Sequence, residues 1–110
     1  MSNLKLPNVA CHADALRVAT GPNANAYYRT SFIANRDGSV SIYHHRTEII
    51  RYEVDGSIVL NNGGWVTSTT TNRLHSLTPA WLHVFRRNFE QWVDLGHGSY
   101  PIERTVTIPA

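Results

Sequence analysis

Apolar and polar residues alternate with a period of two through much of the chain, the signature of half-buried strands. Tyr27 to Ala34 and Ser39 to His44 alternate on either side of Asn35-Arg36-Asp37-Gly38. A three-residue loop of Arg36, Asp37 and Gly38, with Gly38 left-handed, is a recognised hairpin connection. It sets Ala34 opposite Val40 and Phe32 opposite Ile42, so that one face is apolar. Thr47 to Val54 and Ile58 to Leu60 make a second hairpin around Asp55-Gly56. A strict Asp-Gly turn would pair Val54 with Ser57 and mix the faces. A loop one residue longer pairs Val54 with Ile58 and Tyr52 with Leu60, so the longer loop or a bulge is expected. Arg104 to Ile108 alternates again and reads as a terminal strand at a sheet edge.

Helical spacing is sparser. Val9 to Ala19 reads as a helix capped by Asn8 and stopped by Gly21-Pro22, with Val9, Ala13 and Leu16 on one face, although Arg17 to Thr20 also fits a strand. Gly21 to Ala26 is a loop, and His97 to Pro101 reads as another. Asn61-Asn62-Gly63-Gly64 is a turn, Trp65 an apolar anchor after it, and Thr69 to Leu77 a short helix carrying Leu74 and Leu77 inward. Trp81 to Leu95 supports two readings. As a helix, Leu82, Phe85, Phe89 and Trp92 form a stripe behind Thr78-Pro79. As a hairpin, two apolar strands flank a polar turn at Arg86-Arg87-Asn88-Phe89-Glu90.

These elements predict a single α+β domain over residues 1–110, with 1–7 a loose lead-in. The expected architecture is a twisted, mainly antiparallel sheet of five or six strands covered by one or two short helices. The length of 110 residues fits one modest core. No apolar run reaches the roughly 18 residues of a membrane span, and the N-terminus lacks the apolar segment of a secretory signal. A cytoplasmic protein with no membrane association is therefore expected, acting in a host cytoplasm if the resemblance below holds. The single Cys11 permits no intramolecular disulfide and no cysteine-based zinc site. The pI is about 9.0, yet the net charge is only +2, ten basic residues against eight acidic ones. That balance permits nucleic acid without pointing to it, and it excludes a strongly acidic nucleic-acid mimic.

The order Asp37-Gly38, then Tyr43-His44-His45-Arg46-Thr47-Glu48-Ile49, then Ile58-x-Leu60, then Gly63-Gly64-Trp65-x-Thr67-x-Thr69-Thr70-x-x-Arg73-Leu74 resembles a family of small bacteriophage proteins. Their pattern is a His-x-Thr-x-Ile strand, a Gly-Trp turn, and Thr-x-Thr-Thr leading into a helix with Arg and an aliphatic residue. About half the chain carries the resemblance. His75 stands where the family often has Asn, and both ends match loosely. The resemblance implies a phage origin, no established enzymatic activity, and a hairpin rather than a helix at Trp81 to Leu95.

Candidate chemistry gathers in two places. If the strand through His45 and Thr47 approaches Thr67–Thr70, then His45, Thr47, Thr67, Thr69, Thr70 and Arg73 converge at a helix N-terminus. Such a cluster either satisfies the turn's own polar groups or holds an anion. Arg86 and Arg87, with nearby aromatics, form the other candidate binding surface. His44 and His45, neighbours on a strand, are expected on opposite faces, which argues against a shared metal. No catalytic motif, metal site or cofactor is indicated. The function expected from residues and resemblance together is a phage accessory protein that binds a host protein or ribonucleoprotein complex. Its most concrete form is an inhibitor of a bacterial defence system, such as an anti-CRISPR protein. Two alternatives stay open: a nucleic-acid-binding module using Arg73, Arg86, Arg87 and exposed aromatics, and a small metal-independent hydrolase or ribonuclease centred on His45 and His75. The terminal edge strand offers a site for homodimer pairing.

Overall fold

The expected register of the first hairpin is the one the chain adopts, and the larger sheet is built outward from it. The computed structural model describes residues 5–110. Along the chain come α1 (His12–Ala19), β1 (Thr30–Ala34), β2 (Val40–His44), β3 (Thr47–Tyr52), β4 (Ile58–Asn61), α2 (Ser68–Ser76), β5 (His83–Arg87), β6 (Glu90–Asp94), β7 (Ser99–Pro101) and β8 (Thr105–Ile108). Ala34 faces Val40 and Phe32 faces Ile42, with Gly38 left-handed at φ 92°. The strands form two antiparallel sheets, β1-β2-β3-β4-β8 and β5-β6-β7. The α+β class is as expected; the expected single sheet of five or six strands is instead eight strands in two sheets among the described residues.

Two apolar rows cross all five strands of the larger sheet. One runs Ala34, Val40, Tyr52, Ile58, Ile108; the other runs Phe32, Ile42, Ile50, Leu60, Val106. Against this face pack Leu74 and Leu77 of the α2 region, Leu82 just ahead of β5, and Val84 and Val93 of the smaller sheet, all buried in one cluster. Burying them supplies most of the driving force, at about 25 cal/mol per Å² of apolar surface. Tyr52 is fully buried and donates its hydroxyl to the Leu77 carbonyl at 2.7 Å. A bulge between Ile42 and Tyr43 then shifts the β2–β3 register. It makes Ile49 and Ile50 both buried, which strict alternation forbids. Beyond the bulge the same face continues as a polar row, Thr30, His44 and Thr47.

The second hairpin corrects the expected pairing. The loop is longer than Asp-Gly, as expected, but Tyr52 faces Ile58 and Ile50 faces Leu60. The closing pair is Glu53 with Ser57, leaving Val54-Asp55-Gly56 as the loop. The reason is a side-chain device shared with the first hairpin. Asp55 accepts from the Ser57 amide at 2.8 Å and its hydroxyl at 2.7 Å, as Asp37 accepts from Ser39 at 2.9 and 2.6 Å. These serine donors hold both carboxyls below their ordinary range. The Asp-Gly-Ser triplet thus fixes both loops in one geometry, and Val54 is left exposed.

Other corrections are local. The first helix begins at His12 with Cys11 as N-cap, not after Asn8, because Val9 is buried from an extended segment that precedes the helix. Its inward residues are Ala15, Val18 and Ala19, whereas Leu16 is exposed. Thr67 caps α2 by accepting from the Thr70 amide. Trp81 to Leu95 is a hairpin, closed by Asn88 and Phe89, so the helical stripe does not exist. Ser99–Pro101, expected as loop, pairs with β6. β8 lies at the sheet edge as expected. Of the expected lead-in, residues 1–4 lie outside the described residues, while Leu6 packs on the core.

One buried amide pair joins the two sheets. Asn62, fully buried, donates to Gln91 Oε1 at 2.8 Å and to the Ile102 carbonyl at 3.4 Å. Its own Oδ1 accepts from the Gly64 amide at 2.7 Å. Gln91 then donates to Thr71 Oγ1 at 3.0 Å and to the Trp65 carbonyl at 3.3 Å. Removing either partner leaves the other buried and unpaired. Asn62→Ala and Gln91→Ala are each expected to cost roughly 1–3 kcal/mol in urea unfolding. Their double-mutant cycle should return a coupling of about 1 kcal/mol or more; a coupling near zero would contradict the joint.

Candidate functional site

Where the polar row Thr30, His44 and Thr47 leaves the core, the sheet opens into a cleft of about 850 Å³. The β2–β3 turn at His45-Arg46, the Tyr28-Arg29 segment before β1, Trp65, and the start of α2 form its walls. Ile49, the bulged residue, and Asn62 reach its floor. The approach of turn to sheet needs Gly63: at φ 60° its Cβ would stand 2.6 Å from Thr47 Cγ2.

Two left-handed residues face each other across the cleft's edge. Arg29 (φ 52°) and His45 (φ 58°) are linked by the His45 amide donating to the Arg29 carbonyl at 2.9 Å. The reversal at His45 overturns the expectation that His44 and His45 point to opposite faces. Their ring centroids lie 4.4 Å apart. The Arg29 guanidinium sits over the Tyr28 ring at 4.8 Å, and Arg73 Nε donates to Thr30 Oγ1 at 3.1 Å. His44 Nδ1 pairs with the Arg29 carbonyl at 3.1 Å.

The electrostatics have one sign. Arg29, Arg46 and Arg73 line the cleft with His44 and His45, and no lining residue among those described carries a carboxylate. Burial, then the charges of His45, Arg73 and Arg29, push the His44 pKa down from its ordinary value near 6.5. Such a field repels a cation and attracts an anion. Among the described residues no group of three histidine, cysteine or carboxylate side chains is placed to hold a metal ion. At the start of α2, the first amides, Ser68 and Thr69, have no partner within the helix. The Thr67 hydroxyl lies in the same wall.

Four of the six candidate residues meet here: His45, Thr67, Thr69 and Arg73. Arg86 and Arg87 do not line the cleft, and the sheet separates them. Arg86 shares a face with Gln91, whereas Arg87 turns outward over the Trp92 and Phe85 rings at 5.3 and 5.9 Å. His75 is elsewhere too, stacked on His83 at 5.2 Å and accepting from the Val84 amide, so it forms no acid–base pair with His45. Sequence reasoning missed Tyr28, Arg29, His44, Arg46 and the outward placement of Trp65, which is 61% exposed. The signal for Arg29 was present: the register that sets Ala34 opposite Val40, carried back along the strands, sets Arg29 opposite His45.

A histidine held neutral by its surroundings destabilises the fold once acid forces a proton onto it. With the folded pKa depressed, the unfolded chain takes up the proton first. His44's contribution is therefore complete above about pH 6.5 and is lost as the pH falls through the lower folded value. An NMR titration should place the His44 midpoint below 6.5, and His44→Gln should flatten the acid limb of stability against pH. A midpoint at or above the ordinary value would contradict the burial of His44 among cationic neighbours.

Among the described residues no helix is long and apolar enough to cross a membrane. The comparisons with known proteins are of two kinds. An alpha-agarase of Alteromonas agarilytica is 35% identical over 77 residues, 70% of this chain and 5% of the agarase. An alpha-agarase of Thalassotalea agarivorans is 42% identical over 50 residues, 46% of this chain and 3% of the agarase. The chain thus spans only a small part of either enzyme's length. No solved structure matches. The family model described as Kyanoviridae Gp96 protein matches residues 13–106, from α1 into β8, well beyond the half of the chain that carries the phage-like pattern. The chain belongs to this bacteriophage family, the Kyanoviridae Gp96 proteins.

Proposed function

We propose that the protein acts by binding rather than by catalysis, holding a phosphate-bearing host macromolecule in the arginine-lined cleft. The observation that carries this reading is the lining itself: three arginines and two histidines, no carboxylate among the described residues, and exposed Tyr28 and Trp65 at its sides. Guanidinium groups bind phosphate oxygens in fixed geometry, and a cleft of one sign draws a polyanion in by its field. For a phage protein the partner that suits this chemistry is a nucleic acid or a ribonucleoprotein complex in the host cytoplasm. The concrete form is an inhibitor of a bacterial defence system, of the anti-CRISPR kind. The His45–His75 pair that a ribonuclease reading would use is not formed, since His75 stacks on His83 and accepts from the Val84 amide, and this favours binding over that form of hydrolysis.

A second reading is favoured by the matches to the two alpha-agarases: a polysaccharide-binding module in which Tyr28 and Trp65 stack on sugar rings. That reading uses the aromatics and leaves the arginines idle, so salt separates the two. Phosphate contacts lose affinity steeply as salt rises, with about one unit of log–log slope per contact. Affinity capture from a host lysate at low salt should retain a nucleic-acid-containing partner, and Arg29→Ala with Arg46→Ala should release it. The same substitutions should abolish any protection that the wild-type protein gives phage in plating assays on defended hosts. Salt-insensitive retention on agarose, unaffected by the arginine changes, would replace this reading with the polysaccharide one.

A further inference from the structure

We propose that the cleft and the tip of the β5–β6 hairpin form one track for a single-stranded nucleic acid. Its phosphates would run along Arg73, Arg46 and Arg86, with bases stacked on Trp65 and Phe89. The inference rests on the anion reading of the cleft and extends it to a polymer with flat bases.

The first observation is strain at the tip. Asn88 and Phe89 close the hairpin with both residues left-handed, at φ 55° and 65°. A two-residue turn of this kind takes Asn-Gly when closure is its whole purpose, because glycine has no Cβ to meet the carbonyl oxygen. Here the second position carries a bulky aromatic side chain in a backbone region where such residues are outliers. Its ring recovers almost nothing by packing, being 87% exposed. A residue both strained and unpacked weakens the free protein, and contact with something outside it accounts for its presence.

The second observation is where the tip stands. Arg86 is the register partner of Gln91, so the two side chains share a face, about 5 Å apart at their Cβ atoms. Gln91 uses that face to reach Thr71 Oγ1 at 3.0 Å and the Trp65 carbonyl at 3.3 Å. Arg86 therefore continues the cationic lining past Trp65 and the first turn of α2. Arg87 braces the opposite face over Trp92, and Glu90, its register partner, shares that face. The carboxylate at the tip is thus turned away from the track.

A single strand presents what this arrangement can use, open base faces at intervals along a line of phosphates. Stacking on aromatic side chains with phosphate contacts beside them gives binding that tolerates sequence and weakens with salt. A duplex hides its base faces and offers Phe89 and Trp65 nothing to stack on.

The test is fluorescence anisotropy of the full chain with a labelled oligothymidylate of about twelve nucleotides, against thymidine monophosphate and the matching duplex. The single strand is expected to bind about tenfold or more tightly than either. Arg86→Ala and Phe89→Gly should each remove about tenfold of that affinity, while Arg87→Ala leaves it unchanged. Phe89→Gly should also raise the melting temperature by roughly 4 °C, since it relieves the turn; that readout separates lost contact from lost fold. If Arg46→Ala weakens binding of the monophosphate while Arg86→Ala and Phe89→Gly leave the oligonucleotide's affinity intact, the track is wrong and the cleft reading stands. If neither monophosphate nor oligonucleotide binds at low salt, the cleft reading fails and the track falls with it. Equal affinity for the duplex, or a lower melting temperature for Phe89→Gly, would also overturn the proposal.

Discussion

The amide pair of Asn62 and Gln91 is the joint on which the rest of the molecule hangs. Each sheet has its own hydrogen-bonded ladder, but neither ladder says how the two lie together. Asn62 follows β4 and Gln91 lies within β6, so their contact at 2.8 Å crosses from one sheet to the other. The same two side chains hold Thr71 of α2 and the Gly64 and Trp65 backbone. Hydrophobic burial would press the sheets together in many arrangements; a fully satisfied buried amide pair selects one, because any other leaves polar atoms unpaired. The joint therefore sets the distance between the β2–β3 turn and the start of α2, which is the width of the cleft.

The cleft is the core face carried one row too far. Rows of Val, Ile, Leu and Tyr give way, at the Ile42/Tyr43 bulge, to Thr30, His44 and Thr47. Arg73 of α2 reaches over that polar row to Thr30, and the other charged residues around it come from segments with left-handed backbone, at Arg29 and His45. Left-handed backbone at Arg29 and His45 beside a polar, cation-rich row is poorly explained by stability. It fits the proposed anion site, where an anion would offset the like charges; the His44 pKa is depressed first by burial and then by those neighbouring charges.

Much of this was legible in the sequence, for reasons that differ by element. The Arg36-Asp37-Gly38 loop fixed the first register because turn chemistry and apolar alternation agreed on it. The second register differs from the expected one by two residues because the Asp-Gly-Ser triplet at 55–57 closes its loop as the one at 37–39 does, with the aspartate held by the serine. Both strand assignments of β5 and β6 competed with a helical stripe that Phe85, Phe89 and Trp92 imitate by coincidence of spacing. The convergence of His45, Thr67, Thr69 and Arg73 followed from a strand–turn–helix order that keeps them close in the chain. Arg29 and Tyr28 come from far upstream, and only register extension could reach them. Pairing Arg86 with Arg87 as one patch failed for a simpler reason: neighbours on a strand face opposite sides.

The most direct test of the central claim, that the cleft is an anion site, is an NMR titration of the isotope-labelled chain with inorganic phosphate and then thymidine monophosphate. The account predicts shifts concentrated at the Ser68 and Thr69 amides and the Arg46 and Arg73 side chains, with the His44 titration midpoint rising toward its ordinary value as the charge is offset. Shifts scattered over the surface, or a His44 midpoint that phosphate leaves unmoved, would contradict it.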